Sequence, residues 1–354
     1  MQINEYMYEN EEYIREKFQH LEHLVLDNSD DLEYYFKAPI IRYLPPTITS
    51  LIIQNSPFAS FLDLRELVNK FDNLTILELV HIRVDISDFD FLLKKQLPRL
   101  NKLHLAFSYG IDIEGICINL DNYPKLEALD IEEDSASGIN VISKLKGLTF
   151  RGVSNLRKLI MSNVSLVKVI INKETFPKLN QLSLQWCSTL LSKPLYSIFD
   201  VSTITFLDIS VASYPIFEIF TIIHSNPPEK EYRLFLIKEI YPKHATNLLT
   251  LRVQNLVLGY HFFNFLFTLC PNLYNLEIAI CSFENDIPFS KHPVVRESTL
   301  TNVTFTNIES PNADAFINFI LFYFKNISSF KLVNCSDLFP KYKHDPRFCL
   351  CKSR

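Results

Sequence analysis

The chain has 354 residues, 47% of them apolar and 21% charged, which excludes wholesale disorder and exceeds the comfortable size of one compact core. The formal charge of −5 gives no global reason to expect nucleic-acid binding. Only six residues are glycine, against an average near ~7%, so phosphate-cradling glycine loops are nearly excluded. Seven cysteines (Cys117, Cys187, Cys270, Cys281, Cys335, Cys349 and Cys351) are an odd number scattered along a long chain, unlike a disulfide framework. The first residues are acidic where a secretory signal needs a basic start, and no apolar run approaches the ~18–20 residues of a membrane span. A reducing compartment, cytoplasmic or nuclear, is the expectation. The five N-x-S/T sequons at Asn73, Asn163, Asn302, Asn326 and Asn334 then occur by chance.

In chain order, residues 1–17 are an acidic N-terminal cap, part of a stretch to residue 35 with ten acids against two bases. From residue 18 to 335 one pattern recurs, L-x-x-L-x-L with other large apolar residues permitted. It reads LEHLVL (21–26), ITSLII (48–53), LTILEL (74–79), LNKLHL (100–105), LEALDI (126–131) and LRKLIM (156–161). It continues as LNQLSL (179–184), ITFLDI (204–209), LLTLRV (248–253), LYNLEI (273–278), LTNVTF (300–305) and ISSFKL (327–332). The period is near 26 residues. The L-x-L alternation puts apolar side chains on the inner face of a short strand and intervening ones outside. One such strand cannot bury its face alone, so neighbours must stack into a parallel sheet. Leu129, for example, is expected inside and Asp130 outside.

Between the blocks, helices are expected at 62–71, 88–96, 262–270 and 312–325, where apolar residues recur at three- and four-residue intervals. The rhythm breaks once, between Leu207 and Leu251. An irregular or inserted segment is expected at 210–247, with Asn226-Pro227-Pro228 marking a turn. Residues 336–354 read as a basic C-terminal tail.

Proline lies two residues before the block at Pro46, Pro98, Pro124, Pro177 and Pro271, and a large apolar residue one position earlier, as in Phe18, Phe71, Leu97, Tyr123, Phe176 and Phe324. Three residues after the block, seven copies carry a small side chain: Ser29, Ser56, Ser108, Cys187, Ala212, Cys281 and Cys335. The unit F/Y/C-P-x-L-x-x-L-x-L-x-x-C/S resembles the cysteine-containing repeats of F-box ubiquitin-ligase receptors, within the leucine-rich-repeat family. The resemblance implies an α/β leucine-rich-repeat solenoid, a horseshoe of about 12 repeats with a parallel concave β-sheet and a helical or irregular convex side. It also implies an F-box ahead of the repeats, but residues 1–17 lack its L-P-x-E start.

No G-x-S-x-G, P-loop or dinucleotide fingerprint occurs, and no H-x-x-x-H pair. Cys349-Leu350-Cys351 with His344 lacks a fourth ligand for zinc. Neither a catalytic residue nor a cofactor is therefore expected. The acids Glu132, Glu133 and Asp134 read as an exposed patch, and no run of Lys and Arg marks a nucleic-acid surface. The expected function is a monomeric, non-enzymatic protein-interaction scaffold, in its most specific form the substrate-recognition part of an F-box-type ligase that would dock a cullin-ligase adaptor. The alternative is a regulatory repeat protein acting on an enzyme or GTPase. The expected partner contacts are the outward residues His104, Asp130, Glu132, Lys158, Gln181, Gln185 and Phe206, with Trp186 at the rim.

Overall fold

All twelve blocks become strands, and each strand begins at the third residue of its block. The computed structural model describes residues 16, 18–27, 44–56, 64–82, 86–107, 113–133, 145–146, 148–164, 169–185, 187, 199–200, 203–210, 246–255, 257–258, 262, 266, 270–283, 299–308 and 313–351. The chain falls into two compact units, Met1–Ile170 with Glu174–Leu179, and Ile171–Lys173 with Asn180–Arg354.

In the first unit the strands are β1 (His23–Asp27), β2 (Ser50–Ser56), β3 (Ile76–Ile82), β4 (Lys102–Phe107), β5 (Ala128–Glu133) and β6 (Lys158–Ser162). They pair in chain order, all parallel. Leu51, Leu77, Leu103, Leu129 and Leu159 lie in register as one buried row, and Ile53, Leu79, Leu105, Ile131 and Met161 as a second. Burying each of these side chains contributes roughly 1.5–3 kcal/mol. The second unit repeats the plan with β7 (Gln181–Gln185), β8 (Phe206–Ser210), β9 (Thr250–Gln254), β10 (Asn275–Ala279), β11 (Asn302–Thr306), β12 (Ser329–Val333) and β13 (Phe348–Cys351). Each unit is a solenoid of stacked coils built on one parallel sheet.

The sequence features around each block have identifiable jobs. The first block residue donates its N–H to the carbonyl three residues earlier, as in Leu100 to Leu97 (3.1 Å), Leu126 to Tyr123 (3.0 Å) and Leu273 to Cys270 (3.2 Å). Proline occupies the second position of that turn, where its fixed φ is favourable and no N–H is needed. The carbonyl of the second block residue then accepts two N–H groups from the next coil. Thr49 takes Thr75 and Ile76 (2.7 and 3.1 Å), and Leu249 takes Tyr274 and Asn275 (2.8 and 2.9 Å).

At the strand exit the residue two beyond the block turns left-handed, with φ of 51–58° at His81, Asn163, Asn255, Ile280, Asn307 and Asn334. The next residue is cysteine after Ile280 and Asn334, whereas Ile82, Val164 and Ile308 follow His81, Asn163 and Asn307. Cys281 and Cys335 are buried there, and their thiols donate to the carbonyls of Ala279 (3.2 Å) and Val333 (3.3 Å). Both also reach back to the preceding coil, at Val253 O (3.8 Å) and Phe305 O (3.7 Å). Asparagine tolerates a left-handed backbone, whereas a β-branched residue there is strained. Ile280 is 47% exposed, so its side chain gains little from burial. The variant Ile280→Asn is therefore expected to be more stable by about 1 kcal/mol, measured by denaturant melts.

The return paths are mixed. Helices α1 (Leu64–Lys70) and α2 (Ile86–Lys94) serve the first unit, and α3 (Ala313–Tyr323) and α4 (Phe339–Tyr342) the second. They match the helices expected at 62–71, 88–96 and 312–325. Of 262–270 only Phe262, Leu266 and Cys270 are described, all buried. Elsewhere the return is made of very short parallel pairs: Ile113–Glu114 with Leu145–Lys146, Cys117–Asn119 with Thr149–Arg151, Ile171–Asn172 with Phe199–Asp200, and Val257–Leu258 with Ser282–Phe283. Residues 336–351, read from composition as a tail, carry α4 and β13 and extend the sheet. The irregular segment expected at 210–247 lies outside the described residues from 211 to 245, as does the acidic cap apart from Glu16.

Candidate protein-interaction surface

On the outward face of the first unit, Ile52, Glu78, His104, Asp130 and Ile160 are register partners along one row. His104 stands between two acids, with Nδ1 3.7 Å from Glu78 Oε2 and Nε2 3.7 Å from Asp130 Oδ2. Lys102 bonds Glu78 at 2.7 Å. Lys158 lies on the neighbouring row, opposite Ala128, and is exposed. Glu132 lies on the other side, opposite Ala106 and Ser162. The four first-unit residues expected as contacts thus share one face, joined by Glu78 and Lys102.

This cluster is only partly satisfied. His104 Nε2 and Asp130 Oδ1 are buried with no hydrogen-bond partner. Burial is the main reason the Asp130 carboxyl is held above its ordinary range; Glu78 adds to the shift, while His104, Lys158 and Lys102 oppose it. The folded chain therefore holds a proton on Asp130 at pH values where the unfolded chain has released it. Stability accordingly falls as pH rises from the ordinary value through the raised one. The non-ionisable Asp130→Asn is expected to melt higher than the parent at pH 7 and to lose that advantage near pH 4, close to the ordinary Asp value of about 3.9. Melting curves across the pH range check this.

In the second unit the outward row runs Ser183, Asp208, Arg252, Glu277, Thr304 and Lys331. Ser183 Oγ donates to Asp208 Oδ2 (3.1 Å), and Gln185 Nε2 donates to both (3.1 and 3.0 Å). Arg252 bridges Asp208 (3.9 Å) and Glu277 (3.3 Å). On the adjacent row, Asn302 donates to Asn275 (2.9 Å) and Asn275 to Thr250 (3.1 Å). Gln181 is exposed and Phe206, its register partner, half-buried. Trp186 lies outside the described residues.

The sequence reading treats every outward position as open to solvent. Around β7 and β8 that is incorrect: Ser183, Asp208 and Ser210 are buried, Asp208 to 3% exposure. Gln185 is consequently committed to an internal network. Glu78, Lys102, Asp208, Arg252 and Glu277, outward positions of the same alternation that were not among the expected contacts, pair across the strands. Their signal was alternation of charge at one block position, Glu-His-Asp in the first unit and Asp-Arg-Glu in the second, since adjacent strands lie about 4.8 Å apart.

No family model matches the chain, and no curated protein sequence matches it. Among the described residues, no helix is long and apolar enough to cross a membrane.

Proposed function

We propose that the chain is a non-enzymatic protein-interaction scaffold of the leucine-rich-repeat type, with the outward sheet faces as docking surfaces. The observation that carries the reading is the outward face of the first unit, where Glu78, His104 and Asp130 stand in one register row with Lys102 and the exposed Lys158 beside it. A parallel sheet also offers side chains in fixed rows, which suits recognition of another folded surface. Mixed charge favours a protein over a polyanion. In its most specific form the scaffold is the substrate-recognition part of an F-box-type ligase, acting in the cytoplasm or nucleus.

The test is affinity capture followed by mass spectrometry, with three paired variants: His104→Ala with Lys158→Ala, Gln181→Ala with Phe206→Ala, and Asp90→Ala with Lys94→Ala. The last pair sits exposed on α2, on the return path. At least one outward pair is expected to weaken a captured partner by roughly 2 kcal/mol, about thirtyfold, while the α2 pair changes little. Loss of the partner through the α2 pair alone would remove the sheet face from consideration. Co-capture of a cullin-ligase adaptor would support the ligase form.

A further inference from the structure

Strand β13 alternates Phe348-Cys349-Leu350-Cys351. Phe348 and Leu350 pair with the buried Phe330 and Leu332, which sets Cys349 and Cys351 on the outward face opposite Lys331 and Val333. The two sulfurs are 3.6 Å apart. Cys349 is exposed and Cys351 half-buried, whereas Cys187, Cys270, Cys281 and Cys335 are buried in the coils and Cys117 is exposed in a different unit. Hydrogen bonds at both ends of the strand fix the backbone that carries the pair: Phe330 N–H to Arg347 O (2.8 Å) and Asn334 N–H to Cys351 O (3.0 Å).

We propose that Cys349 and Cys351 form a two-coordinate site for a soft monovalent cation of the copper(I) class. Thiolate sulfur selects soft cations, and copper(I) with its filled d shell accepts two ligands in line. Zinc requires four ligands, and among the described residues no group of three or more His, Cys, Asp or Glu side chains could hold a metal. A disulfide fits the strand less well. Residues two apart on an extended strand have Cα atoms roughly 6.6 Å apart, at the upper end of the disulfide range. In-line coordination of one ion needs the sulfurs further apart than their present 3.6 Å, which side-chain rotation supplies without moving the backbone.

The proton and charge balance is closed. Two thiols and one copper(I) ion give a bis-thiolate complex of charge −1 and two released protons. The remaining negative charge faces Lys331, the register partner of Cys349. Arg347 is already paired in two contacts with Asp345 and does not contribute.

The experiment is anaerobic titration of the full chain with copper(I) held by a coloured chelator, with thiol alkylation before and after loading. The parent should take one copper(I) per chain, release two protons and protect two thiols, mapped to Cys349 and Cys351 by peptide mass spectrometry. Cys349→Ser with Cys351→Ser should abolish uptake while leaving the circular dichroism and melting curve unchanged. Cys117→Ser should leave uptake intact, and Lys331→Ala should weaken it several-fold. Copper uptake that survives the double serine variant, protection at other cysteines, or absence of uptake by the parent would each overturn the proposal. Equal protection by zinc at the same concentration would overturn the assignment to a soft monovalent ion.

Discussion

Leu129→Asp is expected to lower stability by roughly 3 kcal/mol or more, a large fraction of the 5–15 kcal/mol typical of a folded domain. Leu129 is 1% exposed and lies in register between Leu103 and Leu159, so the new carboxylate would meet only hydrocarbon. The damage should spread, because each coil of a solenoid is supported only by its neighbours. The adjacent Asp130 faces the other way, and Asp130→Ala is expected to cost under about 0.5 kcal/mol. Thermal and urea melts of the two variants provide the check. Equal shifts for both would mean that the alternation of inward and outward residues is misassigned by one position.

The strands were legible because a period-2 pattern fixes both their phase and their inner face. Every strand from β1 to β12 begins where the block spacing places it. The strand exit was less legible, although its signal was present. Asn28, Asn55, Asn163, Asn255, Asn307 and Asn334 all stand two residues beyond a block, and the last four adopt the left-handed backbone. The short return strands of two or three residues carry too little sequence for any period to show. Strand β13 was hidden by the basic composition around it, though Phe348 and Leu350 already alternate with the cysteines.

The outward rows of the candidate surface follow from the same alternation, but their bonding does not. Whether Lys102 reaches Glu78, or Arg252 reaches Glu277, depends on side-chain rotamers that spacing leaves open. Burial of Asp208 and Ser183 is beyond an alternation rule altogether, since that rule assigns every outward residue to solvent. Such interstrand bonds make the outward face stiffer than a solvated row of charges. Exposed ion pairs contribute little to stability, so the effect of Arg252 with Glu277 lies mainly in holding side-chain positions.

At the C-terminal end of the second unit the apolar filling is aromatic. Phe316 of α3 stacks on Phe305 with centroids 5.4 Å apart, Phe305 meets Phe330 edge-on at 5.0 Å, and Phe330 stacks on Phe348 at 4.8 Å. Tyr342 of α4 lies against Phe348 at 4.4 Å, and its hydroxyl bonds Asp314 at the start of α3. Phe330 is fully buried at the middle of this chain of rings and touches both the preceding coil and the last strand. Phe330→Ala should therefore cost about 3–5 kcal/mol, through lost transfer energy and a cavity that neighbouring rings cannot fill. Because Phe348 stacks on Phe330, β13 should loosen first, giving faster hydrogen exchange at Phe348–Cys351 before global unfolding. Phe322→Ala on α3 is the control: that ring is 67% exposed, and its loss should change stability by less than about 0.5 kcal/mol. A Phe330 variant as stable as the Phe322 variant would mean that the stack is not what closes this end of the sheet.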